Sequence, residues 1–322
     1  MKGRSPSEGI GRGFRKAILV NEHFVVYGVP AIAVPISIFV EVAVTIRRGK
    51  GLSVFIRSAS GGSPRKDTDT DRAEAVRSVL RAVDVSEGEN RTEVRCVDDL
   101  PGWSGLGSSA GFCVALVRAL CEALDRPLPE EAISRIAYEA EKVFAANPSG
   151  IDNTVATYGQ PVWFERGRTP SWERIPVGRP LWIVIGNSGT PARTRDEVEK
   201  VARFRNSRSA AFSGMAGEAT RVGAQARAAL ETGDGVALGA LMDRGHAMLQ
   251  QLGVSNERLD EMVDFCRRRG ALGAKLTGGG GGGCMLALAG DKPSGEALAA
   301  GLERNGYPAL CVALGPSDAP SP

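Results

Sequence analysis

Two histidines in 322 residues, His23 and His246, are too few for a histidine-rich metal centre. The six cysteines (Cys96, Cys113, Cys121, Cys266, Cys284 and Cys311) contain no C-x-x-C pair. That excludes the common zinc spacing and a disulfide framework, and the thiols are expected to be reduced and mostly buried. No segment approaches the ~20 apolar residues needed to cross a bilayer. The basic start, residues 1–16, lacks the apolar core and small-residue cleavage site of a signal peptide. An excess of charge of one sign is missing too. Forty basic and thirty-seven acidic residues leave +3 with no basic tract, so nucleic acid is not implied. These absences point to a cytoplasmic protein with neither a membrane nor a nucleic acid as partner.

The composition, 43% hydrophobic and 24% charged, is that of a soluble protein with material for a real core. The length favours two lobes, since single cores stop growing near ~250 to 300 residues. Residues 1–12, polar and Gly-rich, and 317–322, rich in Pro and Ser, are expected to be flexible tails. Ile36, Ile38, Val40, Val42, Val44 and Ile46 alternate at period two and predict a strand after a first one at 17–20. Residues 60–72 have loop composition, and 73–83 helical periodicity. A strand at 92–97 leads through a glycine-punctuated stretch into a helix at 110–124. A second helix is expected at 129–144, with Pro129 at its start. Strands are expected around 155–164 and 181–186. Helices follow over 194–252, broken at 233–235, and over 256–269, before a closing strand that ends near 288. This order indicates an α+β fold with a boundary between about 178 and 194.

Three segments carry the chemistry. Trp103, Ser104, Gly105, Leu106, Gly107, Ser108, Ser109 and Ala110 form a glycine-rich loop directly before a helix. Backbone N–H groups and the positive helix end make such a loop a phosphate site, although an ordinary serine-capped turn has the same composition. It is not a Walker loop, because G-x-x-x-x-G-K-[ST] is absent. Six consecutive glycines, Gly278 to Gly283, sit between a helix and an apolar strand. Ordering them costs entropy, which calls for close backbone approach rather than a linker. The third segment, residues 147–159, is polar and turn-rich and carries Asp152 just after a helix that ends in Glu139 and Glu141.

Together with residues 16–28, in which Lys16, Glu22 and His23 stand, these segments resemble the motifs of GHMP kinases in their expected order. The Asn-Pro-Ser-Gly-Ile-Asp-Asn core at 147–153 is the form found in mevalonate kinases. The resemblance covers most of residues 14–288. It implies a two-lobed GHMP kinase fold: an ATP-binding lobe of mixed strands and helices over 13–185, and a helix-rich lobe with an antiparallel sheet over 186–316. It further implies phosphoryl transfer from ATP, with Mg²⁺, to the 5-hydroxyl of mevalonate in isoprenoid precursor biosynthesis. Asp152 would accept the hydroxyl proton, and Lys16 would hold Asp152 ionised. Ser109 and Glu141 would be Mg²⁺ ligands, and Gly105, Leu106, Gly107, Ser108, Ser109 and Ala110 would cradle the nucleotide phosphates. Glu22, His23 and Thr194 would border the substrate, and Gly278, Gly279, Gly280 and Gly281 would shape the wall. The resemblance leaves a homodimer open.

Some positions depart from the family pattern. Asn21 and Phe24 replace small residues of the first motif and are expected to make the wall near the substrate bulkier. Trp103 and Ser104 open the second motif, and Trp103 could pack on the adenine or narrow the phosphate entrance. Gly279 replaces an alanine. These changes bear on substrate identity. The alternatives are another GHMP small-molecule kinase, such as a phosphomevalonate or homoserine kinase, and a non-catalytic ligand-binding relative.

Overall fold

Strict alternation builds the spine of the molecule. In the computed structural model, which describes residues 7–314 apart from 59–60, 99, 101, 146–147, 169 and 193, strand β2 (Ala31–Arg48) buries Ile36, Ile38, Val40, Val42, Val44 and Ile46 on one face. β2 lies at the centre of a mixed seven-stranded sheet. β1 (Ser7–Val20) pairs with it antiparallel, as do β5 (Asn90–Asp98) and β6 (Val162–Glu165). Beyond β5 lie β3 (Gly51–Ser58), parallel to it, and β4 (Gly61–Lys66). Beyond β6 lies β7 (Ser171–Arg174). A second, antiparallel sheet has the order β11 (Ala309–Leu314), β8 (Leu181–Asn187), β10 (Cys284–Ala289), β9 (Gly273–Leu276). With the helices this is the expected α+β fold.

Helices α1 (Thr70–Ala82), α2 (Ser108–Leu124), α3 (Glu130–Glu141) and α4 (Ile151–Tyr158) belong with the first sheet. After β8 come α5 (Thr194–Ser207), α6 (Ser209–Thr232), α7 (Gly235–Gln251), α8 (Glu257–Arg268) and α9 (Lys292–Arg304); α7, α8 and α9 pack on the second sheet, whereas α6 packs on α5, on α7 and on β1 and β2. Of these, α2 is buried almost all round, from Ala110 to Ala123, as an apolar helix must be. For α9 the sequence reading makes no assignment, yet its start carries a signal. Asp291 and Ser294 form a reciprocal capping box, with Pro293 in the first turn.

The expected tail at 1–12 is wrong where it can be seen: residues 7–12 belong to β1. Its glycines face α2. A Cβ on Gly9, Gly11 or Gly13 would fall 2.1–2.2 Å from the carbonyl oxygen of Ala119, Ala115 or Gly111, respectively. Two strand residues advance about 6.6 Å and four helix residues about 6 Å, so a Gly-x-Gly-x-Gly strand can follow a helix spaced i, i+4 backbone to backbone. Three further expectations change. The loop at 60–72 contains β4. The boundary at 185/186 cuts β8, and the change of sheet falls between Arg174 and Leu181. Asp152 stands in the first turn of α4, not in a loop. The tail at 317–322 lies outside the described residues.

Gly11→Ala should therefore cost about 3 kcal/mol, the upper end of overpacking costs. Gly214→Ala, on an exposed stretch of α6 where a Cβ meets nothing within 4 Å, should gain about 0.5–1 kcal/mol. Urea midpoints of the two variants against the parent decide the point, and equal midpoints would refute the close approach of β1 to α2.

Candidate active site

Two consecutive basic residues at the inner end of β1 hold the glycine loop. The backbone N–H of Lys16 donates to Leu106 O at 3.1 Å, and its ammonium donates to Gly105 O at 3.1 Å. The Lys16 side chain lies so close over Gly107 that a Cβ there would meet its Cγ at 2.9 Å. Arg15, fully buried, reaches the other strands of the same turn. Its Nη2 faces both Asp98 carboxylate oxygens at 2.5 and 2.7 Å, Leu100 O at 2.9 Å and Ser108 Oγ at 3.2 Å. Gly105 and Gly107 take φ of 89° and 70°, left-handed values that open the turn into the N-terminus of α2.

The glycine run at 278–283 packs against this loop and against the segment leading into α5. Gly278 and Gly105 touch backbone to backbone, a Cβ on Gly278 falling 2.7 Å from Gly105 Cα. Gly280 and Gly281 press on Val254 O and on the Glu197 carboxylate, and Gly282 on Thr190 O. Gly281 N donates to Val254 O at 2.7 Å, and Asn256 Nδ2 to Gly281 O at 3.0 Å. The run is thus a fixed wall held from three sides.

Acidic groups close the fourth side. Lys16 Nζ lies 3.2 Å from Asp152 Oδ2, with the lysine buried and the carboxylate partly open. Glu141, at the end of α3, is buried, and its Oε2 has no hydrogen-bond partner among the described residues. Burial foremost, then the nearby Asp152 charge, pushes its carboxyl up to about 8, with Lys16 pulling the other way. Two carboxyl groups and one ammonium thus share the space in front of the glycine loop. That arrangement suits proton transfer and the binding of charged oxygens.

Two family models match the chain, described as the GHMP kinases N terminal domain over residues 73–160 and GHMP kinases C terminal over 226–308. A mevalonate kinase of Thermococcus sibiricus is 33% identical over 306 residues, covering 88% of this chain and 90% of that protein. The mevalonate kinase of Pyrococcus furiosus is 34% identical, with 86% and 88% covered. The chain belongs to the mevalonate kinases of the GHMP family. Among solved structures, the L. major mevalonate kinase in complex with R-mevalonate superposes with a TM-score of 0.89 at 31% identity, covering 99% of this chain and 100% of that one.

The other family positions fall into two groups. His23 Nε2 donates to Gly279 O at 2.8 Å, and a Cβ on Gly279 would lie 2.8 Å from Thr194 Oγ1. His23, Gly279 and Thr194 therefore stack in one wall. An alanine at 279 would displace Thr194, which accounts for the departure there. Burial lowers the His23 pKa against the opposing pull of the Gly279 carbonyl, so the ring is a neutral donor near pH 7. Glu22, by contrast, turns inward. It is 2% exposed and pairs with the wholly buried Lys275, whose ammonium also donates to Leu276 O at 2.6 Å. Burial raises the Glu22 carboxyl and lowers the Lys275 ammonium, and each opposes the other's shift.

Phe24, expected to thicken the substrate wall, is a core residue packed 5.7 Å from the Phe212 ring. Asn21 takes φ 73°, a left-handed value that asparagine tolerates, and its Nδ2 donates to Pro30 O and Ala219 O. Trp103 packs on the core and offers its carbonyl to Arg15. Asn147 lies outside the described residues.

Arg15, Lys275 and Thr277 were not singled out by sequence reasoning. Thr277 Oγ1 accepts from Ile18 N at 3.1 Å and so ties β1 to the start of the glycine run. The signal available was a charged residue within a strand for Arg15 and Lys275, and a polar residue directly after one for Thr277. His246 is a fourth. It is buried on α7, its Nδ1 accepts from Leu276 N at 3.4 Å, and its Nε2 lies 3.1 Å from Asp260 Oδ1. Burial, with Arg267 and Lys275 nearby, pushes its pKa down to about 4 against the pull of Asp260.

The folded state thus binds this proton less readily than the unfolded chain between about pH 4 and 6.5, and stability is lost as pH falls through that window. His246→Asn, which keeps an acceptor for Leu276 N–H, should flatten the decline in melting temperature between pH 6.5 and 4.5. A parallel decline in parent and variant would show that His246 contributes nothing to it.

Proposed function

We propose that this enzyme transfers the γ-phosphoryl group of ATP to the 5-hydroxyl of mevalonate, giving 5-phosphomevalonate and ADP. The observation that carries the reading is the Lys16–Asp152 contact of 3.2 Å at the mouth of the glycine loop, in a chain whose mevalonate kinase relatives span its length. Asp152 takes the proton of the acceptor hydroxyl as that oxygen attacks the γ-phosphorus and the bond to the ADP oxygen breaks. Lys16, 3.2 Å from Asp152 Oδ2, holds that side chain in place and offsets the negative charge that gathers on the transferring group. The amides of Gly107 to Ser109 and the positive end of α2 receive the nucleotide phosphates. His23 and Thr194, meeting at Gly279, border the acceptor. Phosphoryl transfer asks mainly for such positioning and charge stabilisation.

Mg²⁺ fits the residues present. Glu141 Oε2 is buried without a partner, and Ser109 Oγ has no hydrogen bond among the described residues. One carboxylate and one hydroxyl, completed by phosphate oxygens and water, suit a small hard cation. When bound, the ion neutralises charge on the phosphate oxygens.

Phosphorus NMR of the product formed with mevalonate and Mg·ATP should show a 5-phosphate; a 3-phosphate, or turnover only with another acceptor, rejects the assignment. Asp152→Asn should lower turnover roughly 10²- to 10⁴-fold with little change in melting temperature. A folded variant with normal turnover would leave the proton without this acceptor. Glu141→Gln and Ser109→Ala should each raise the Mg²⁺ concentration needed at fixed ATP. An unchanged Mg²⁺ profile in both would place the ion elsewhere.

A further inference from the structure

Ser108 stands in the expected phosphate cradle, but its hydroxyl is already committed. It donates to Asp98 Oδ2 at 2.9 Å and accepts from Arg15 Nη2 at 3.2 Å. Asp98 is the last residue of β5, Ser108 the first of α2, and the loop between them is held from inside by one guanidinium. Arg15 is 0% exposed and binds Asp98, Leu100 O, Trp103 O at 3.3 Å and Ser108 together. Burying an arginine calls for hydrogen-bond partners, and here Nη2 faces both Asp98 carboxylate oxygens, Leu100 O and Ser108 Oγ while Nη1 donates to Trp103 O; Nε alone is without a partner among the described residues. A lysine has a single point of attachment and cannot span the same set. The neighbouring Lys16 takes Gly105 O and Leu106 O of the same loop, so adjacent residues of β1 fix both of its halves.

We propose that Arg15 is a positioning residue for the nucleotide phosphates, and that Ser108 acts through the Arg15–Asp98 cluster instead of as a phosphate ligand. The guanidinium ties Asp98, Leu100, Trp103 and Ser108 together and with them sets the direction of the first amides of α2. Arg15 touches neither substrate in this scheme. The inference rests on the reading of the loop as a nucleotide site, so the test reads nucleotide binding without any acceptor.

Fluorescent ATP-analogue titrations would be run on the full chain for the parent, Arg15→Lys, Ser108→Ala and the double variant, with kcat and both KM values alongside. Arg15→Lys should weaken analogue binding and raise KM for ATP roughly tenfold or more, the scale of losing about 1.4 kcal/mol of preorganised contact, while KM for the acceptor stays within twofold. Ser108→Ala should weaken binding less, and the double variant no further than Arg15→Lys alone. Additive losses in the double variant would make Ser108 a direct phosphate ligand and overturn the proposal. So would analogue binding within twofold of the parent in a folded Arg15→Lys protein, or equal losses for ATP and acceptor. If Arg15→Lys fails to fold, Asp98→Asn takes its place with the same expected split. A parent that binds the analogue but does not turn over mevalonate would instead count against the proposed acceptor alone.

Discussion

Everything in the site depends on the inner half of β1 being gripped on every side. Its backbone pairs with β2, the glycines that lead into it lie against α2, and Arg15 and Lys16 hold the loop that precedes α2. Further on, Ile18 is tied to Thr277, and Glu22 is paired with Lys275. One strand therefore sets the relative position of the glycine loop before α2, the glycine wall and the acidic pair. A slip of one residue would exchange Arg15 and Lys16 between faces and disconnect all three, because side chains alternate along a strand.

Charge is distributed on the same principle. Three cations, Arg15, Lys16 and Lys275, are buried along or beside this strand, and each faces one carboxylate: Asp98, Asp152 and Glu22. Such pairs contribute little net stability, yet removing one partner is costly, so they enforce a single arrangement more than a deep energy minimum. Glu141 is the acidic group left over. Its carboxyl, raised to about 8 chiefly by burial and so mostly protonated at neutral pH, faces the Lys16–Asp152 pair without a cation of its own. A divalent cation held by Glu141 and Ser109 would supply that positive charge and favour the ionised carboxylate.

Glycine serves geometry here, and in more than one way. In β1 it lets a strand lie on a helix backbone. At Gly105 and Gly278 it lets two loops from distant parts of the chain touch through their main chains. The wall that results has no side chains to fill the cleft, and the neighbouring His23 and Thr194 are left to give it chemistry.

Much of this was legible in the chain itself. Alternation located β2, the serine-tipped glycine loop located the start of α2, and the order of the three motifs indicated the family, which in turn implied Lys16, Asp152, Glu22, His23, Thr194, Ser109 and Glu141 as candidate site residues. These are local signals, carried by periodicity or by residues close in sequence. What only the tertiary structure decided depends on partners far apart along the chain. The Gly-x-Gly-x-Gly of residues 9–13 has the composition of a tail until α2, about a hundred residues later, supplies the surface that excludes a Cβ. Phe24 looks like part of a substrate wall until Phe212 claims it for the core, and Glu22 looks available until Lys275 is buried against it. A sequence states which groups are present, but burial and pairing are properties of distances between remote residues, and those distances exist only once the sheets and helices have closed around them.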